Sequence, residues 1–104
     1  MSRVLYAVVS SGATVSANVD LREGQLGAVY LPVVTSADLY VRGCYDTTSA
    51  NFGRLFNEYG AVRFPTGAGS CMAMWPMGEL TPPYVRFELS VAQTDNRTLT
   101  VLRY

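Results

Sequence analysis

Apolar and polar residues alternate along YVRFELSVA (84–92) and RTLTVLRY (97–104), and a period of two is the side-chain period of a β-strand. In the first stretch Val85, Phe87, Leu89 and Val91 fall on one side, with Arg86, Glu88 and Ser90 on the other. In the second, Leu99 and Val101 take the inner side. TVSANVDL (14–21) reads the same way, with Val15, Ala17, Val19 and Leu21 inward and Thr14, Ser16, Asn18 and Asp20 outward. No window of about 11 residues carries a helical period with caps. Short strands at this spacing, separated by turns, predict an all-β chain: a single antiparallel β-sandwich of about eight strands, one domain over residues 1–104.

The other segments fit that plan. RVLYAVVS (3–10) puts Val4, Tyr6 and Val8 on one face and Leu5, Ala7 and Val9 on the other. Both faces are apolar, so this strand is covered on both sides or sits at a subunit contact. LGAVYLP (26–32) closes on Pro32, which has no N–H for a ladder and marks a strand end. SADLYVRGCYD (36–46) sets Leu39 and Val41 against Tyr40 and Arg42, then falls into the turn formers TTSANFG. RLFNEYGAVRFP (54–65) predicts two short strands around Glu58, Tyr59 and Gly60. CMAMWPM (71–77) reads as a strand broken at Pro76, Pro82 and Pro83 make a corner, and QTDN (93–96) predicts a hairpin turn.

Composition narrows function by subtraction. The 104 residues hold no histidine and no lysine; all eight basic residues are arginine, balanced by eight acids. Without histidine there is no ready proton shuttle near neutrality and no imidazole metal ligand, and a cysteine nucleophile has no imidazole base. Without lysine there is no Schiff-base nucleophile and no Walker-type phosphate loop. The expectation is a protein that is not an enzyme and carries no cofactor. Net charge zero draws in no nucleic acid, and with 49% hydrophobic residues it favours association over repulsion. No run approaches the roughly 18 apolar residues of a membrane span, and the start of the chain does not read as a secretory signal. A chain of this size buries roughly 65% of its unfolded surface, enough for a core without staples. Cys44 and Cys71 accordingly read as reduced core thiols.

Individual motifs are weak. The acids Asp20, Glu23, Asp38, Asp46, Glu58, Glu79, Glu88 and Asp95 are spread along turns and polar strand faces, which suits solvated surface better than a facing glycosidase pair. Gly67-Ala68-Gly69-Ser70 precedes a strand rather than a helix and reads as a plain loop, and Asn96-Arg97-Thr98 is a chance glycosylation match. Asp46 with Thr47, Thr48 and Ser49 offers oxygens to a calcium ion, but one carboxylate in a turn is a poor site. Met72, Met74, Trp75, Pro76 and Met77 say more: methionines beside a tryptophan fill irregular gaps in cores and at interfaces, and such aromatics also stack on sugar rings. Core, protein interface and carbohydrate contact all remain open for this stretch. The candidate interface residues are Met72, Met74, Trp75, Met77, Val4 and Tyr6.

From Ser11 to Tyr104 the order of signals resembles small β-sandwich virion proteins of tailed bacteriophages. The resemblance is carried by SGATVSANVDL ending in Asp20-Leu21, by AVYLP closing on Pro32, and by the strand entry at Thr35, Ala37 and Leu39. FGRLFNEYG contributes Leu55, Phe56, Glu58 and Gly60; YVRFELS and QTDNRTLTVLRY contribute Gln93, Arg97 and Arg103. Val33-Val34 and the turn Gly43-Cys44-Tyr45-Asp46-Thr47 depart from the family pattern. The resemblance implies a jelly-roll or galactose-binding-like sandwich and a capsid decoration (cement) or head-surface role. It also implies the major capsid protein and sister subunits, as a homotrimer, for partners. On that reading the chain is made in the host cytoplasm and resides on the virion capsid surface, with neither nucleic acid nor membrane as partner. The galactose-binding likeness implies the alternative, a carbohydrate-binding virion-surface or tail-associated module for host attachment.

Overall fold

The structure is a computed structural model describing residues 3–22, 24–34, 37–48, 52–57, 60–65, 71–74 and 82–103, with the backbone alone at positions 3, 57, 65 and 71–74. Every regular element among these residues is a β-strand, and every pairing is antiparallel. The strands are β1 (Arg3–Val9), β2 (Val19–Asp20), β3 (Leu26–Leu31), β4 (Asp38–Cys44), β5 (Gly53–Arg54) and β6 (Phe56–Asn57). They continue with β7 (Gly60–Ala61), β8 (Arg63–Pro65), β9 (Cys71–Met74), β10 (Tyr84–Leu89) and β11 (Arg97–Arg103).

One sheet has the order β1-β11-β3-β9; the other runs β2-β10-β4, with β5 and β8 both pairing the far edge of β4. The chain passes between the sheets at nearly every step, and the interleaved order is that of a jelly roll. Among the described residues eight strand positions are filled in the two sheets, because β5 and β8 share one. β5 covers Arg42 and Gly43, β8 covers Asp38 to Tyr40, and between them the chain leaves the sheet as the β6–β7 hairpin. Gly60, at φ +113°, serves that turn in a conformation few other residues adopt. The two short strands predicted around Glu58–Gly60 are this hairpin, although Glu58 and Tyr59 lie outside the described residues.

The core lies between the sheets. Val85, Phe87 and Leu89 of β10 and Leu39 and Val41 of β4 meet Leu99 and Val101 of β11, Val29 and Leu31 of β3, and Val9 of β1, all buried. The alternation that predicted β10 and β11 therefore marks the inner face of each sheet. Three readings need correction. Residues 93–96 do not turn a hairpin, since β10 pairs β2 and β4 while β11 pairs β1 and β3. The connection from Ser90 to Asn96 carries the chain across the sandwich instead. Val91 is exposed, because β10 ends at Leu89.

The third correction concerns TVSANVDL, in which only Val19–Asp20 is regular strand. Ser16 is buried and Ala17 exposed, the reverse of the alternation. The Ser16 N–H donates to Phe87 O at 2.9 Å, and its Oγ accepts the Phe87 N–H at 3.0 Å while donating to Ala17 O at 2.9 Å. A hydroxyl that satisfies the neighbouring backbone is worth burying, and it displaces the apolar pattern locally.

Candidate docking face and edge cleft

Val4, Tyr6 and Val8, which the sequence places on the second apolar face of the first strand, look away from the core. They are 48%, 68% and 42% exposed. Antiparallel register extends that face across the sheet. Val4 opposes Leu102, which opposes Ala28; Tyr6 opposes Thr100, which opposes Tyr30; Val8 opposes Thr98. Met74 and Met72 of β9 occupy the positions opposite Ala28 and Tyr30, so two of the four predicted interface methionine and tryptophan positions fall in these rows. Trp75 and Met77 lie outside the described residues. Tyr30 is 41% exposed. A sheet with one solvated face normally alternates apolar-in with polar-out; here threonine is the only polar residue type in the described part of rows dominated by Val, Tyr and Leu.

Where β1 and β2 form neighbouring edges of the two sheets, a cleft of about 500 Å³ opens, lined by Leu5, Tyr6, Asn18, Val19, Asp20, Arg22 and Arg103. Arg22 grips Asp20 in a fork: Nε lies 3.1 Å from each carboxylate oxygen and Nη2 lies 2.8 Å from Oδ2, while the Arg22 N–H donates to Oδ1 at 3.0 Å. These bonds to the charged form hold the Asp20 carboxyl down to about 2. The cleft therefore offers an ionised carboxylate, two guanidinium groups and a side-chain amide beside an exposed phenol ring. Asp20 is the solvated acid that its place in the sequence implies, its side chain 48% exposed, but nothing local to it shows that β1 brings Tyr6 to the same cleft.

The outer face of the five-stranded sheet is different in character. Arg86, Arg42 and Arg54 stand in one row across β10, β4 and β5. Glu88 lies in the next row, opposite Tyr40, with its side chain 14% exposed. Arg54 Nε donates to Glu88 Oε1 at 2.8 Å, which raises the Arg54 pKa further, and Arg42 Nη1 lies 4.0 Å from Glu88 Oε2. Three aromatic rings on this side carry a guanidinium: Arg54 lies over Tyr40 at 3.9 Å, Arg86 over Phe52 at 4.5 Å and Arg22 over Tyr84 at 5.4 Å.

Other sequence candidates take structural parts. Asp46 Oδ1 accepts the Thr48 N–H at 2.9 Å and the Cys44 thiol at 3.2 Å, fixing the turn after β4. Cys44 is a buried free thiol, as expected of a core cysteine. Asn96 Oδ1 accepts the Ser11 N–H at 2.8 Å and ties the first turn to the 90s connection. Residues 67–70 lie outside the described residues. Comparison of the chain with protein-family models finds no match, and neither does comparison with curated proteins. The fold alone defines its class: a jelly-roll β-sandwich with one apolar outer face and one arginine-rich outer face.

Proposed function

We propose that this chain is a non-catalytic structural protein of a tailed-phage virion. It decorates and stabilises the capsid by binding the outer surface of the major capsid protein shell as a homotrimer. The observation that carries the reading is the outer face of the four-stranded sheet, where Val4, Tyr6, Val8, Tyr30 and Leu102 form one apolar, tyrosine-bearing surface on a rigid sandwich. Interfaces of stable complexes are enriched in tyrosine and methionine at their centres, and jelly rolls recur in viral shells. The face is the surface buried in the assembly, against the shell or a sister subunit.

A second reading, a carbohydrate-binding module for host attachment, draws on the edge cleft. There the Tyr6 ring stands beside Asp20, Arg22 and Asn18, groups that pair with sugar hydroxyls. Two variants separate the readings, because Tyr30 belongs to the face alone and Asp20 to the cleft alone. If the protein is cement, Tyr30→Asp abolishes co-sedimentation with purified shells, Asp20→Asn leaves it intact, and copy number in particles matches the shell lattice. If it is a sugar module, the wild type binds host polysaccharide in calorimetry, Asp20→Asn weakens that binding, and shells are not decorated. Wild-type protein that binds neither overturns both.

A further inference from the structure

We propose that the outer face of the five-stranded sheet binds an extended acidic segment of a protein partner, with two of its carboxylates seated on Arg42 and Arg54. This surface lies on the opposite side of the sandwich from the apolar face, and the proposal stands apart from the capsid reading. Three arginines directly abreast on neighbouring strands repel one another, and a sheet avoids such rows unless counter-charges relieve them. Among the described residues the relief is incomplete. Glu88 is shared, bonded to Arg54 at 2.8 Å but only 4.0 Å from the nearest Arg42 nitrogen. Arg42 Nε is buried with no hydrogen-bond partner among the described residues. Arg86 is held elsewhere, 2.6 Å from Asn18 Oδ1 and over the Phe52 ring. Arg63, further along the same face, pairs with Asp38 at 3.4 Å. Among the described residues the face thus sets five arginines, Arg22 included, against three carboxylates, Asp20 included, and Arg42 and Arg54 have Glu88 to share.

The chemistry of the ligand follows from what the face leaves open. A guanidinium placed over a ring, as Arg54 is 3.9 Å over Tyr40, makes its further bonds in its own plane, and with Nε given to Glu88 the Nη groups of Arg54 are the donors that a second carboxylate meets. An extended peptide presents side chains to one side about every 7 Å, a repeat that two long arginine stems span, so glutamates at alternate positions reach both. Nucleic acid and neutral sugar fit less well. The rings of Tyr40 and Phe52 carry guanidinium groups at 3.9 and 4.5 Å, each taking a ring face on which a base or sugar ring would stack. A localised surplus on a chain of net charge zero matches a few carboxylates rather than a continuous phosphate backbone.

The test is fluorescence anisotropy with a short labelled peptide bearing glutamate at alternate positions, beside its glutamine counterpart. The glutamate peptide is expected to bind, more weakly as salt rises, and the glutamine peptide not to bind. Arg42→Gln and Arg54→Gln should each weaken binding about tenfold, the equivalent of one hydrogen bond to a charged group. Arg63→Gln, on the same face but paired with Asp38, should leave it nearly unchanged. Thermal melting of each variant checks the fold, and Arg42→Gln carries the test alone if loss of the Glu88 partner unfolds Arg54→Gln. Equal binding of the two peptides, or indifference to Arg42→Gln, overturns the proposal. So does tighter binding of a single-stranded oligonucleotide or a sulfated polysaccharide than of the glutamate peptide. Self-association in sedimentation that Arg42→Gln abolishes would overturn it too, by making a second copy the occupant.

Discussion

Ser16 shows how one hydroxyl substitutes for a length of strand. It brackets the Phe87 backbone from both sides, so the chain before β2 stays on the sheet edge without regular pairing. Ser16→Ala would leave the Phe87 N–H buried without its acceptor, at a cost of about 1–3 kcal/mol, measurable as a lower urea midpoint at unchanged slope. Asp20 makes a prediction about pH. Its folded pKa of about 2 lies below the ordinary carboxylate value because Arg22 bonds the ionised form. Depressed in the folded state, the group favours folding above the ordinary carboxylate pKa, and that contribution fades as pH falls toward 2. In an NMR titration the Asp20 carboxyl should titrate near 2, and Arg22→Ala should return it toward the ordinary value. Gly43 is fixed by space rather than by backbone angle, since a Cβ there would collide with Pro82 and Leu55.

Among elements, β10 governs the sandwich: it pairs with both β2 and β4 and sends Val85, Phe87 and Leu89 into the centre. Phe87→Ala should cost about 3–5 kcal/mol in denaturant unfolding, as large-to-small changes in a filled core do; a loss under about 1 kcal/mol would invert the strand's faces. That β10 and β11 point these side chains inward was legible in the sequence, because burial on one side imposes the period of two directly. Their partners were not legible. QTDN has the composition of a hairpin turn, yet turn residues serve a crossing between sheets equally well, and only the non-local pairing with β1 and β4 decides. Ser16 was misread for a related reason, since its burial depends on a backbone distant in sequence. Of the surfaces, the doubly apolar β1 was visible from residues 3–9 alone. The arginine row was not, because Arg42, Arg54 and Arg86 become neighbours only through register.

At the scale of the whole molecule, the two sheets turn surfaces of opposite kind outward. The apolar side leaves large hydrophobic side chains exposed that a lone sandwich has no means of covering. Replacing Tyr6 and Val8 together by serine should therefore raise the monomer fraction in analytical ultracentrifugation while leaving the melting temperature nearly unchanged, as exposed positions usually do. A large fall in melting temperature would mean that these residues support the fold itself. Salt should separate the two sides, leaving apolar association intact and weakening contacts made through arginine.

The position of β11 has a consequence for how the chain comes off the ribosome. β11 lies between β1 and β3 and is the hydrogen-bonded partner of β1 along residues 3–9. β1 precedes β11 by some ninety residues, so residues 97–103 are translated on the order of ten seconds after it at ordinary elongation rates. Throughout that interval the nascent chain carries an unpaired strand that is apolar on both faces, the kind of edge that recruits other chains. Folding of the four-stranded sheet is thereby deferred until translation passes Arg103. A message truncated before Arg97 would yield protein that precipitates rather than a smaller sandwich.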